Sequence, residues 1–182
     1  MRGYTNQLNF DLEQAIEILS ATPGTLQKLL GDLSSDWTTS GGTESEWQPY
    51  DVIGHLIQGE ETDWIPRARI ILEPGVGRTF VPFDRFAQFE RSKGKSLVGL
   101  LDEFAKLRTE NLVILRKWEL TPDQLDLRGI HPELGDVTLR QLLATWVVHD
   151  LNHIRQIVTS MAQRYSRDVG VWREYLSILK PT

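Results

Sequence analysis

Three histidines have the residue type and the spacing to hold a metal ion. His149 and His153 lie four residues apart in segment 142–156, which has the apolar spacing of a helix. Residues at positions i and i+4 lie one above the other on a helix face, so both imidazoles can bind a single ion. His55 lies in a second stretch with helical spacing. If the two stretches face each other, His55 completes a site of three nitrogen ligands.

His149 and His153 are predicted to point inward, because they continue the apolar row of Leu139, Leu142 and Trp146. The polar face of the same stretch carries Arg140, Gln141, Arg155 and Arg164. Neutral imidazoles in an apolar interior need hydrogen-bond partners, which a shared cation would supply. The alternative is that each is an ordinary core or boundary histidine bonded to a carbonyl or a side chain. The spacing alone leaves both interpretations open.

Asp150 and His131 are the next candidates. A zincin protease would carry Glu directly after the first histidine, whereas this chain has Asp150 there, so the zincin arrangement is excluded. Asp150 lies about 100° around the helix from His149. We therefore expect a carboxylate outside the ligand set, either behind the ligands or at the surface. His131 is predicted to be a loop residue, with a role near the site entrance as the alternative.

Three acidic residues follow the first candidate ligand in the second helix. Glu60, Glu61 and Asp63 are predicted to form a solvated face, and the alternative is that one of them approaches the metal as an acid or base. Trp146 is expected to pack beside the histidines. The chain has neither a Gly-Xaa-Ser-Xaa-Gly elbow nor a glycine-rich phosphate loop after a strand. No residue is therefore assigned a catalytic role beyond the metal ligands.

Composition limits the range of functions. The 182 residues carry a net charge of −5 with basic and acidic residues interspersed, which argues against a nucleic-acid partner. Without cysteine, any metal must be bound by His and carboxylate. Segment 1–10 lacks a signal-peptide core, and no stretch approaches the roughly 20 apolar residues of a membrane span. We expect a single domain over residues 1–182, no membrane partner and a cytoplasmic location.

The apolar residues recur at intervals of three and four in four segments, which predicts helices over 11–33, 49–72, 96–118 and 136–163. The connection between the second and third helices is longer than the usual link between antiparallel neighbours. It is predicted to cross the bundle, so that these two helices run parallel. The fold class is all-α, a four-helix bundle with a long crossover between helices 2 and 3.

Local signals refine this prediction. Thr22-Pro23 either starts a new helix or kinks the first one, and Pro66 is expected to bend the second. Ser96 and Asp136 are predicted to cap the third and fourth helices. No segment shows convincing strand alternation. The C-terminal segment 169–179 is expected to pack on the bundle through its large apolar residues, Trp172, Tyr175, Leu176 and Leu179.

Four segments of this chain together resemble the DinB-like superfamily of metal-binding four-helix bundles: residues 15–30, 47–60, 131–157 and 165–179. The resemblance covers nearly the whole chain, and its last two segments are its most specific part. It implies one metal held by a histidine of the second helix and two of the last, which correspond to His55, His149 and His153. It also implies zinc, nickel or a similar divalent ion with positions open to water or substrate.

The resemblance implies several functions. Some members of the superfamily are S-transferases that use a low-molecular-weight thiol, and a Lewis-acid metal lowers the pKa of a thiol so that it attacks an electrophile. Thiol-dependent S-transfer to a small molecule is therefore the preferred prediction, although no residue identifies the thiol. The alternatives are a metal-dependent hydrolase, and a non-catalytic, metal-stabilised bundle that binds a ligand or partner or forms a homodimer.

Overall fold

The computed structural model describes residues 9–39, 47–73 and 79–180. Its α-helices are α1 (Leu12–Leu30), α2 (Ser35–Thr38), α3 (Pro49–Thr62), α4 (Trp64–Leu72), α5 (Ala87–Ser92), α6 (Leu97–Lys117), α7 (Pro122–Leu125) and α8 (Leu139–Gln163). A hairpin of β1 (Arg128–His131) and β2 (Gly135–Thr138) precedes α8, and two 3₁₀ turns, Gly170–Tyr175 and Ser177–Leu179, follow it. The bundle consists of α1, α3 with α4, α6 and α8, which confirms the predicted all-α four-helix bundle.

The second and third long helices run parallel, as predicted from the long connection. At one end the Tyr50 hydroxyl of α3 donates to the carbonyls of Ser92 and Lys95, directly before α6. At the other end Glu60 of α3 pairs with Arg108 in the second half of α6. Both helices therefore proceed in the same direction, and the connection between α4 and α6 returns the chain to the starting end.

The connection between α4 and α6 lies against α3 through the short helix α5. A Cβ atom on Gly54 would lie 2.5 Å from Ser92 Oγ, so only glycine allows this close approach. Gln88 and Ser92 of α5 are buried by the contact. The connection is therefore packed on the bundle and contributes side chains to its interior, although the sequence indicated only a loop.

The core divides into two apolar clusters along the bundle axis. The first contains Ile16, Leu19, Trp64, Ile65, Ala68, Ile71, Phe80, Leu112, Leu115, Leu125, Leu139, Leu142, Leu143 and Trp146. The second contains Leu26, Leu30, Val52, Ile53, Leu56, Ile57, Leu100, Leu101, Phe104 and Ile157. In sequence, the gaps between the two sets on α3, α6 and α8 hold buried charged residues: Glu60, Arg108 and Asp150. A polar layer thus crosses the middle of the bundle.

Two prolines behave differently from one another. Pro23 lies inside the continuous helix α1, so the single-helix alternative is the observed one. The predicted bend at Pro66 is wrong in position, because the second helix is interrupted at Asp63, which has a φ of −109° and a ψ of −70° and lies between α3 and α4. Pro66 falls in the first turn of α4, where a backbone N–H has no helical partner to lose.

The hairpin was missed because its two strands have only four residues each, too few to show alternation. Its strands pair antiparallel with His131 opposite Gly135, which has a φ of 74°. The hairpin also corrects a predicted cap: Asp136 lies within β2, and Thr138 caps α8 by accepting a hydrogen bond from the Gln141 amide at 3.1 Å. The Ser96 cap of α6 is confirmed, with Ser96 Oγ 3.1 Å from the Gly99 amide nitrogen.

The C-terminal segment packs less than expected. Leu179 is buried, but Trp172 is 68% exposed and Tyr175 is 83% exposed, so the predicted packing of these two aromatic rings is wrong. Leu176 is also exposed, although less than the two aromatic side chains. The short 3₁₀ turns place only one of the four residues against α8. Among the described residues, no helix is long and apolar enough to span a bilayer.

Candidate metal centre

The three histidines predicted as ligands converge at one point between α3 and α8. His149 Nε2 lies 3.1 Å from His55 Nε2 and 3.1 Å from His153 Nε2. One ligand atom from each residue lies within 4.8 Å of the other two. Tetrahedral zinc with nitrogen ligands places neighbouring nitrogens about 3.3 Å apart, so these separations suit a single ion.

Two glutamines fix the orientation of two of the rings. His55 Nδ1 lies 3.1 Å from Gln88 Oε1, and His153 Nδ1 lies 2.8 Å from Gln156 Oε1. An amide oxygen only accepts, so each Nδ1 carries the proton and each Nε2 keeps a free lone pair. This is the tautomer that a metal ligand requires, and a hydrogen bond to the other ring nitrogen is the usual support of such a ligand.

The surroundings keep the rings neutral. Burial, followed by the charge of His153, lowers the pKa of His55 to about 4. Burial also lowers the pKa of His149, even further, and that of His153. A neutral imidazole binds metal, whereas a protonated one does not. Three nitrogens that face one another cannot all be satisfied by their own protons, and a shared cation satisfies all of them, so the residues present fit a divalent metal.

Aromatic rings surround the cluster on its apolar side. The ring centroids of Trp47 and Phe83 lie 4.9 and 5.4 Å from that of His55. Trp64 lies 5.0 Å from His149 in an edge-on arrangement. Trp146, expected beside the histidines, stacks on Trp64 with ring centroids 5.8 Å apart. Trp47, Trp64 and Phe83 also line a cavity with the histidines, so they form an apolar part of its wall.

The cavity beside the histidine cluster has a volume of about 980 Å³. All three histidines line it, together with aromatic and polar residues from α3, α4, α8, the hairpin and the connection before α5. Its charged lining consists of Asp63, Arg67, Arg85 and Arg155. A cavity of this size is typical of small-molecule sites. The cluster is therefore accessible to a ligand of that size.

A second polar cluster lies behind the histidines in the bundle interior. Arg108 donates to both oxygens of Asp150, at 2.6 and 3.0 Å, and to Glu60 Oε1 at 2.8 and 3.1 Å. Trp146 Nε1 also donates to Glu60 Oε1, and Asn111 donates to Glu60 Oε2, both at 3.0 Å. Glu60 is only 2% exposed, so its predicted place on a solvated face is wrong. Asp150 is buried behind the ligands rather than at the surface, as one of its two expected positions.

Charge compensation makes this cluster stable. Burial alone lowers the pKa of Arg108, but Glu60 and Asp150 raise it by more, and the net pKa is above its ordinary value. The guanidinium is also 2.8 Å from the Leu19 carbonyl of α1. One side chain therefore joins all four long helical segments.

The other predicted candidates are occupied by ion pairs or turns. Glu61 pairs with Arg91, and Asp63 pairs with Arg67 at 2.5 Å. Burial raises the pKa of Asp63, although Arg67 opposes the shift. His131 lies at the end of β1 and lines the cavity, which is consistent with the entrance alternative. Its Nδ1 accepts hydrogen bonds from the amides of residues 133 and 134, so its proton is on Nε2.

Gln88 and Arg108 were not identified from the sequence. Gln88 lies in the connection that was assigned to a loop, and no sequence signal marks it. Arg108 had a signal, because it lies four residues after Phe104 and four before Leu112, within the apolar row of its helix. A single charge in such a row indicates a buried partner of opposite sign.

The comparisons with known proteins agree with this geometry. The family model for the DinB superfamily matches residues 18–157. This chain belongs to the DinB superfamily. YfiT from Bacillus subtilis, described as a probable metal-dependent hydrolase with an unusual four-helix bundle topology, is similar in structure with a TM-score of 0.72 and 22% sequence identity. The similarity covers 90% of this chain and 94% of YfiT. A comparison with curated proteins found no match.

Proposed function

We propose that this DinB-superfamily protein is a metal-dependent hydrolase of small molecules, with His55, His149 and His153 as the ligands of one divalent ion. One observation carries the proposal: three neutral imidazoles converge at the wall of a cavity large enough for a small molecule. The fold of YfiT, a probable metal-dependent hydrolase, supports the same activity. A structural zinc site would instead be closed by a fourth protein ligand.

A divalent ion bound to three histidines acidifies water and polarises a carbonyl or phosphoryl oxygen. The residues of the chain supply the conditions for this chemistry. Gln88 and Gln156 hold two ligand rings in the required tautomer. His131, whose Nδ1 is occupied by backbone amides, keeps its Nε2–H as a donor to a substrate in the cavity. Zinc and nickel both suit imidazole ligands, and we propose one of these two as the ion.

Hydrolysis is tested with protein purified without an affinity tag, since such a tag introduces further histidines. Metal content is measured by elemental analysis, and turnover is measured on a panel of esters, amides and phosphate esters with and without a chelator. We expect about one ion per chain, and turnover that chelation stops and added zinc or nickel restores. Turnover that persists in His149→Ala, or that is unchanged by the chelator, would contradict the proposal.

Thiol-dependent S-transfer remains a prediction that the same preparation tests. The metal-loaded protein is incubated with a chloro-aromatic electrophile and a cellular thiol, and the thioether product is measured. Product that depends on both thiol and metal, together with no hydrolysis across the ester panel, would replace the hydrolase proposal by the transferase. Hydrolysis without thioether formation would establish the reverse.

A further inference from the structure

The charged lining of the cavity has an excess of positive charge. Of the residues that the structure describes, three arginines line the cavity against a single carboxylate, that of Asp63, in a chain whose net charge is −5. Arg67 is neutralised, because its guanidinium pairs with Asp63 at 2.5 Å and also donates to the Val81 carbonyl. The two remaining arginines, Arg85 and Arg155, have no ion pair with any of the described residues.

Arg85 lines the same cavity as the histidines and lies close enough to His55 for its charge to act on that ring. It follows Phe83, whose ring contacts His55 with centroids 5.4 Å apart, by two residues. The carboxylate between them is not its partner: Asp84 Oδ1 accepts hydrogen bonds from the amides of Phe86 and Ala87, at 3.0 and 3.2 Å, at the start of α5. The guanidinium of Arg85 is therefore available at the cavity wall beside His55.

The rest of the wall is apolar on the same side. The rings of Trp47, Trp64 and Phe83 contact the histidines and also line the cavity. Such a surface favours an apolar body in the ligand, whereas an unpaired guanidinium favours a carboxylate or phosphate. Among the described residues, the lining offers no unpaired carboxylate that would attract a cationic substrate.

We propose that the substrate is an anion with an apolar body, whose carboxylate or phosphate group binds Arg85 while its hydrolysable bond lies at the histidine cluster. This inference rests on the proposed hydrolase function. Arg155, on the α8 side of the cavity, adds to the positive potential that attracts such a substrate. Arg85 is thus assigned a role in substrate selection and has no part in the reaction itself.

The test compares matched nitrophenyl esters on the metal-loaded protein: one with an uncharged alkyl tail, one of equal length ending in a carboxylate, and one ending in a phosphate. We expect the wild-type protein to prefer a charged ester, and Arg85→Ala to reduce the kcat/KM ratio of charged over uncharged ester about tenfold, the effect of losing about 1.4 kcal/mol. Arg85→Lys should keep part of the preference. The charged tail with the larger loss identifies carboxylate or phosphate as the recognised group.

The control is Arg167→Ala, which removes an exposed arginine outside the cavity lining and should keep the wild-type ratio. Binding is measured separately by calorimetry with the ether analogues of the same esters, which lack the hydrolysable carbonyl. If no ester is hydrolysed but the charged ethers bind more tightly than the uncharged one and lose this advantage in Arg85→Ala, the hydrolase proposal fails and the anion site stands. Equal kcat/KM for charged and uncharged esters, or equal ratios in wild type and Arg85→Ala, would overturn the anion site.

Discussion

The bundle contains two polar clusters that both join α3 to α8, and they differ in whether they are complete. In the buried cluster, Arg108 is bonded to Glu60 and Asp150, and positive and negative groups satisfy each other. In the histidine cluster, three groups of the same kind face one another. The charges of the first cluster compensate each other, whereas the imidazole nitrogens that face one another in the second are suited to share a cation. We therefore assign the first cluster to the stability of the fold and propose the second as the metal site.

The buried cluster is where a substitution has its largest effect. Arg108→Ala leaves the carboxylates of Glu60 and Asp150 buried without a counter-charge, and should lower the free energy of unfolding by about 3–5 kcal/mol. Urea denaturation measures the loss. The matched control is Arg116→Ala on the same helix, which removes a surface pair with Glu13 and should cost less than about 1 kcal/mol. Similar losses of unfolding free energy in the two variants would show that the buried ion pairs stabilise the fold no more than a surface pair does.

The histidine cluster should respond in the opposite way. His149→Ala should abolish the stoichiometric binding of zinc or nickel. The metal-free fold should remain intact, because removal of this imidazole leaves no buried charge without a counter-charge. The stabilisation by metal, about 4 kcal/mol at a free concentration of 1,000 times Kd, should disappear with it. Elemental analysis and denaturation with and without added metal measure both effects. His131→Ala should keep the metal, and full occupancy in His149→Ala would remove the assignment.

Acidification should lower the stability of the metal-free protein through the histidine cluster. The pKa of His55 falls from 6.5 in the unfolded chain to about 4 in the folded one, so the unfolded state binds protons at a higher pH. The associated stability is complete above pH 6.5 and is lost as the pH falls toward about 4. Denaturation midpoints in chelator across this range should decrease with acidification, and less steeply in His55→Ala. A midpoint that rises on acidification would contradict the sign.

The smallest effects are expected from the glutamines that orient the ligands. Gln88→Leu should weaken metal binding by about 10- to 100-fold, because Gln88 is buried and water cannot replace its amide at His55. Gln156→Leu should weaken binding by less, since Gln156 is only half-buried. Competition with a chromophoric chelator gives both affinities. An equal loss in the two variants would mean that burial does not set the contribution of these hydrogen bonds.

The sequence predicted the parts that repeat along a helix. The four helices and the shared register of His149 and His153 follow from intervals of three and four residues, and the length of one connection predicted the parallel pair. Gln88 and Glu60 were not predictable in the same way, since their roles depend on which helix lies opposite. Glu60 lies next to other acidic residues, so the sequence alone predicts that it is exposed to solvent. Its burial becomes evident only once Arg108 is known to lie opposite it.

The short elements were missed for a related reason. Each strand of the hairpin has four residues, and α5 has six, which is too little for a period to emerge. Their positions are set by contacts with the bundle, such as the approach of Ser92 to Gly54. In the C-terminal segment the prediction failed for a different reason: the residues are large and hydrophobic, but three of the four, Trp172, Tyr175 and Leu176, remain exposed.

The packing of α5 against Gly54 divides the proposed site between two parts of the chain. The three histidines belong to long helices, whose geometry depends on the whole core. Phe83, Arg85 and Gln88 belong to one connection, which is attached to the bundle by short contacts, including the hydrogen bond between Gln88 and His55. A redesign of the proposed selectivity is therefore best directed at Arg85, while Gln88 is retained so that His55 keeps its hydrogen bond. In this arrangement, the residue proposed to select a substrate and the residues proposed to bind the metal come from separate segments of the chain.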